Sequence, residues 1–157
     1  MPKEDIKSHY RVLLCACKKY KKGQKNGILL VNPQLNYEQE MEKFFYKTDD
    51  FEVYCFCPIL DNKMKGTYYF FAGGFDLLEK KGAIKLFKII YGTTQWRTKI
   101  EFMQDIVLEY NEKFEGFQEP ISSIIQSKVK GNVLVTCYDG NVYLFTPPNI
   151  DYYLEEI

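Results

Sequence analysis

By residue type, the positions best suited to chemistry are two cysteine pairs, Cys15-x-Cys17 and Cys55-x-Cys57, and a single Cys137. Soft thiolates of this kind could hold zinc in a tetrahedral site. Their placement argues against it. Both pairs lie inside apolar runs, where residues two apart on an extended strand point to one face about 7 Å apart. Structural zinc sites instead set two to four residues between paired cysteines. Free cysteine is also among the most buried residue types, so core packing outweighs metal ligation. Five cysteines, an odd number with no export signal, read as reduced thiols inside a cell.

His9 is the only histidine, so any Cys-His or Ser-His-Asp arrangement would have to use it. It sits in a polar leader beside Ser8 and Tyr10, which suits an exposed or capping role. The carboxylates Glu38, Glu40, Glu42, Asp49, Asp50, Asp61 and Asp76 stand in polar surroundings, without the apolar setting that tunes a catalytic acid. Gly73-Gly74 and Gly23 lack the Gly-Lys-Ser/Thr that completes a phosphate loop. No enzyme motif, metal site or cofactor is expected.

Two charged stretches remain as candidate contact surfaces. Lys18, Lys19, Tyr20, Lys21 and Lys22, followed by Lys25, form a basic loop with an aromatic inside it. Such a loop could grip phosphates and stack on a base, or contact an acidic partner. Solvation, or protection of a strand edge, is the plainer use of the same lysines. The acidic stretch Glu109 to Glu119 interleaves Tyr110, Phe114 and Phe117. Aromatics are enriched at interface cores, so these three are expected to meet a protein partner, with packing against the domain as the competing role.

The elements that must carry these residues are strands. Tyr and Phe number 13 and 12, against one Trp, and aromatic and β-branched residues suit half-buried pleated surfaces. Lys plus Arg balance Asp plus Glu at 21 each, which argues against nucleic-acid binding driven by overall charge. No apolar run reaches the roughly 18–20 residues of a spanning helix, and the start lacks an apolar signal. A soluble cytoplasmic or nuclear domain is expected, of a size to bury one core.

Gly131 to Pro148 reads as a buried hairpin. Val133–Cys137 and Val142–Phe145 flank Tyr138-Asp139-Gly140-Asn141, and Pro147-Pro148 ends the pairing. The same unit recurs. Tyr10–Cys17, the lysine loop and Ile28–Val31 form one copy; Tyr68–Ala72, Gly73-Gly74 and Ala83–Ile90 form another. The glycines opening each second strand, Gly27, Gly82 and Gly140, stand 55 and 58 residues apart. Between the hairpins, Lys43–Thr48 with Phe51–Cys57, and Lys99–Gln104 with Ile121–Ser127, supply a half-polar strand and then a more apolar one. Helix formers at Asn36–Phe45 and Asp105–Phe114 compete locally, but the repeat requires loop and strand there. The repeat is therefore expected to be four-stranded, with this chain supplying strands two to four of the first unit, four of the second and three of the third.

Gly131-Asn132-Val133-Leu134-Val135-Thr136-Cys137-Tyr138-Asp139-Gly140-Asn141-Val142-Tyr143-Leu144-Phe145 resembles the second and third strands of a WD-repeat blade. Gly82–Phe87 and Gly27–Val31 look like weaker copies. The chain carries neither the Gly-His pair nor the Trp-Asp of that family, and its spacing exceeds 40–45 residues. The resemblance implies an all-β fold: a partial β-propeller of repeated four-stranded antiparallel blades. Residues 10–148 form its single domain, in units 10–48, 51–104 and 119–148, after a polar leader at 1–9 and before a tail at 149–157. It implies a non-enzymatic scaffold module for a protein partner, its ring completed by further repeats or another chain. The alternatives are a nucleic-acid-associated propeller using the lysine loop and, behind it, a thiolate metal-binding β domain.

Overall fold

A computed structural model of the chain describes residues 13–19, 21–32, 42–59, 67–90, 99–106, 116–126 and 132–145. Within them every regular element is a strand: β1 Leu13–Cys17, β2 Gly27–Asn32, β3 Glu42–Lys47, β4 Phe51–Pro58, β5 Thr67–Asp76, β6 Lys81–Ile90, β7 Lys99–Asp105, β8 Ile121–Gln126, β9 Val133–Cys137 and β10 Val142–Phe145. They form three antiparallel sheets in chain order: β1-β2-β3, β4-β5-β6-β7 and β8-β9-β10. Each is a meander in which neighbours in sequence are neighbours in space. The helix-prone stretch at Asn36–Phe45 is strand from Glu42 on, and Lys99–Asp105 is strand; residues 33–41 and 107–115 lie outside the described residues.

The sheets stack in the order of the chain, with the four-stranded one in the middle. Its one face packs on the first sheet through Phe51, Val53, Phe70, Ala72, Phe87, Ile89 and Ile100, against Ile28 and Leu30. Its other face packs on the third sheet through Cys57, Tyr69, Phe71, Ile84 and Leu86, against Ile121, Ile124, Val133, Val135 and Cys137. Period-2 alternation produces this division on β5, where Phe70 and Ala72 face one core and Tyr69 and Phe71 the other. Phe87 anchors the first core: its ring stacks on Phe70 at 5.4 Å and meets Tyr46 and Phe102 edge-on at 5.5 and 5.6 Å.

Strand β4 departs from simple alternation. Its register shifts between Val53, opposite Gly74, and Cys55, opposite Gly73. The extra residue, Tyr54, turns over everything after it. Phe51, Val53 and Phe56 therefore face the first core, and Cys55 and Cys57 the second. Gly74 belongs to the same device, because a Cβ there would run into the Glu52 carbonyl. Gly73 serves close packing: a Cβ would lie 2.7–2.9 Å from Ile121, Cys55 and Ile124 side-chain atoms.

Several expectations need correction. Gly73-Gly74 does not open the β5–β6 turn; the strand runs on to Asp76 and the turn is Leu77–Lys80, held by Asp76 Oδ1 accepting from the Leu78 and Glu79 amides at 2.9 and 3.1 Å. The last hairpin forms where expected, with Gly140 at φ 86°, but only β9 is buried. On β10, Val142 and Leu144 are 61% and 58% exposed. Strand β1 is likewise an open edge, with Leu13 and Cys15 exposed. The three spaced glycines also differ in setting: Gly27 lies under Phe45, Gly82 against Phe117 and Glu119, and Gly140 in an open turn. The strand count, by contrast, follows the sequence reading, with three described strands in the first sheet, four in the second and three in the third.

Candidate interaction surface

The lysine loop is built by Asn26. This residue is 4% exposed, and both the oxygen and the nitrogen of its side-chain amide are hydrogen-bonded. Its Oδ1 accepts from the Lys19 amide at 2.8 Å, and its Nδ2 donates to the Asp49 carbonyl at 2.9 Å. Its own carbonyl accepts from the Thr48 amide at 3.0 Å. Asn26 thus ties the β1–β2 loop to the β3–β4 turn, where Asp49 takes a positive φ of 52°. Within the loop, Lys21 and Gln24 exchange hydrogen bonds at 3.1 and 3.2 Å, and Gly23 supplies the φ of 91° that the bend requires.

On that frame the lysines separate into two kinds. Lys18 Nζ lies 2.9 Å from Glu52 Oε2 and donates to the Tyr54 hydroxyl at 2.9 Å; Tyr54 in turn donates to Glu52 at 2.8 Å. The hydrogen bond to Tyr54, then that to Glu52, raises the Lys18 pKa above its ordinary value. Partial burial chiefly raises that of Tyr54. Lys18 is therefore a structural cation joining the first sheet to the second. Lys19, Lys21, Lys22 and Lys25 point to solvent, with no ion pair among the described residues. An open cleft of about 550 Å³ lies beneath them, lined by Ala16, Cys17, Lys18, Gly23, Gln24, Lys25 and Phe45.

Tyr54 extends this surface to the third sheet. Its ring meets Tyr138, in the β9–β10 turn, edge-on at 5.6 Å. Tyr138 is 61% exposed. A ledge of Lys18, Tyr54 and Tyr138 thus crosses all three sheets, with the four solvent-facing lysines at one end. Glu52, Tyr54 and Tyr138 were not singled out from the sequence. Tyr138 was findable as an aromatic in a hairpin turn, whereas Glu52 and Tyr54 meet Lys18 from another sheet, with Tyr54 36 residues along the chain and no local spacing to link them.

The acidic stretch gives a different result. Tyr110 and Phe114 lie outside the described residues, as does Tyr20 of the lysine loop. Phe117 is not a surface aromatic. It is 6% exposed, packs edge-on against Tyr143 at 5.2 Å, and its carbonyl accepts from the Gly82 amide at 3.0 Å. The missing Cβ of Gly82 lets the Phe117 side chain approach β6. Its role is to seal the second core.

The cysteines divide as the sheets do. Cys57 and Cys137 are buried and Cys55 is half-buried in the second core, whereas Cys15 is exposed and Cys17 half-exposed on the first sheet. Burial pushes the Cys55 and Cys137 thiols up to about 11, and raises Cys57 in the same direction. At neutral pH these three are protonated, hence poor nucleophiles and metal ligands. Among the described residues no group of three His, Cys, Asp or Glu side chains is placed to hold a metal. Nor is any helix there long and apolar enough to cross a membrane.

Comparison with family models, curated proteins and solved structures finds no match for this chain.

Proposed function

We propose that this chain is a non-enzymatic interaction module, built as part of a WD-repeat-like β-propeller, that presents loops at one rim of its sheet stack to a protein partner. The observation that carries the reading is the stacking of three antiparallel meanders face to face in chain order. Successive propeller blades are arranged in this way. The rim bears a preformed surface, the Lys18–Tyr54–Tyr138 ledge with Lys19, Lys21, Lys22 and Lys25 beside it. Lysines without an ion pair among the described residues, on one ledge with an exposed aromatic, fit an acidic protein segment.

A second reading has its own support, since the lysines at one end of the ledge could track a single-stranded nucleic acid while Tyr138 at the other stacks a base. One experiment separates the two. The triple charge reversal Lys19→Glu, Lys21→Glu, Lys22→Glu is expected to abolish recovery of protein partners by the wild-type chain, while mixed single-stranded RNA binds neither version. Salt-dependent RNA binding lost in the variant would favour the nucleic-acid reading, with a log–log slope of about −0.7 per phosphate contacted. Partner recovery unchanged by the triple reversal would remove the ledge from both.

A further inference from the structure

Among the described residues the two ends of the sheet stack are uncovered. On the first sheet, strand pairing sets Cys15, Leu29 and Phe45 in one row and Leu13 and Val31 in the next. These side chains point away from the core, because Leu14, Ile28, Leu30, Phe44 and Tyr46 point into it. On the third sheet, Ile125, Leu134 and Leu144 form one outward row, and Ser123, Thr136 and Val142 the next. Leu13, Phe45, Ile125, Val142 and Leu144 are each more than 40% exposed, and no described element covers them. The only polar groups in the outward rows of the third sheet are hydroxyls that satisfy one another, with Thr136 Oγ1 at 2.6 and 2.7 Å from Ser123 and Ser122.

We propose that the occupant of each end is a second copy of this chain, joined head to tail: the outer face of one copy's first sheet packs on the outer face of the other's third sheet, twice, closing a ring of six sheets. Ring closure rests on the propeller reading above; the apolar ends do not.

Polarity comes from the interior. Each internal contact joins the later-facing side of one sheet to the earlier-facing side of the next. The two free faces are the unmatched halves of that pattern, so a heterologous contact between copies repeats what the chain already does within itself. Area decides between one contact and two. Three strands about 4.8 Å apart and five residues long at about 3.4 Å give a face of roughly 240 Å². One contact buries two such faces, about 500 Å² in plan, which is the scale of a crystal-packing contact. Two contacts approach the roughly 1,000 Å² that marks a specific interface. A copy with both ends engaged is therefore the stable form. The outward rows of the third sheet carry no charge; on the first sheet Lys47 flanks Phe45 and is paired with Asp49 of its own chain at 2.9 Å, and Lys43 holds the register position opposite Val31.

The test uses the 157-residue chain in sedimentation velocity at about 50 µM, with Phe45→Lys and Leu144→Glu as variants at exposed positions. The wild type is expected at twice its 18.6 kDa chain mass. Each variant alone is expected to be monomeric, since both of its contacts would bury an unpaired charge. An equimolar mixture is expected to return to dimer, because one contact is then native and the other sets Lys against Glu. A monomeric wild type overturns the proposal, as does a series of larger assemblies. Self-association that survives Leu144→Glu alone overturns it too, by showing pairing of two first sheets. Loss of dimer with partner recovery through Lys19, Lys21 and Lys22 intact separates this inference from the ledge.

Discussion

Gly73 is a point of close approach between the second and third sheets, and replacing it tests the packing described above. In Gly73→Ala the new Cβ lies 2.7 Å from Ile121 Cγ2, 2.8 Å from Cys55 Sγ and 2.9 Å from Ile124 Cδ1. Comfortable carbon contacts fall at about 3.5–4.0 Å, so three neighbours must each withdraw by roughly an ångström. Ile121 is fully buried and cannot simply swing outward. Overpacking of this kind costs about 1–3 kcal/mol. The restricted unfolded chain returns roughly 0.4–1 kcal/mol. The expected net loss is about 1–2 kcal/mol, read as a urea midpoint lowered by roughly 0.5–1 M at an m-value near 2 kcal/mol/M. Ile124→Val removes one of the clashing atoms and costs about 0.5–1.5 kcal/mol alone. Combined with Gly73→Ala it should recover part of the loss, giving a coupling energy of at least about 0.5 kcal/mol. A neutral Gly73→Ala, or strict additivity in the double variant, would mean that β8 does not seat on β5 as described.

Asn26→Ala removes two side-chain hydrogen bonds from a buried site, which is expected to cost about 1–3 kcal/mol and to speed proteolysis within the lysine loop; unchanged urea and protease profiles would count against Asn26 as the anchor. Cys15 should react with an aromatic disulfide reagent within seconds at pH 8, while Cys57 and Cys137 react only after denaturation; rapid modification of all five thiols in the native chain would refute the second core. The raised thiols also set a pH dependence. With Cys55 and Cys137 at about 11 when folded and about 8.5 when unfolded, the native chain keeps protons that the unfolded chain releases. Stability is then full below about pH 8.5 and falls as pH rises towards 11, by up to roughly 1.4 kcal/mol per pH unit per thiol. Lys18 and the raised tyrosines Tyr46, Tyr54 and Tyr143 begin to matter only from about pH 10 upward, so urea midpoints at pH 7 and pH 9 isolate the thiols. Equal midpoints would refute the assignment.

Strands were legible wherever an apolar run met a strong turn signal. Val133–Cys137 and Val142–Phe145 appear as read, because Asp139-Gly140 admits one conformation readily and Gly140 adopts it. Exposure was not legible. Val142 and Leu144 are as apolar as Val133 and Val135, and only the pairing register separates them, setting the first two beside Thr136 and Leu134 on the outward face. Glycine misled in one place, since Gly73-Gly74 serves a close sheet contact and a bulge rather than a bend. The bulge itself leaves no composition signal, and neither does the approach of Glu52 and Tyr54 to Lys18 from another sheet. The basic loop was visible as a run of lysines; its fastening by Asn26 was hidden in an Asn-Gly pair that reads as a generic turn.

The middle sheet forms a wall of both cores, and this constrains how the molecule comes apart. Every outer sheet is a local meander that can assemble from near neighbours in sequence, yet neither has a second apolar layer among the described residues except β4–β7. Melting the middle strands would strip both outer sheets at once, so the chain should behave as one cooperative block despite its modular appearance, with β5 and β6 the last amides to exchange with solvent.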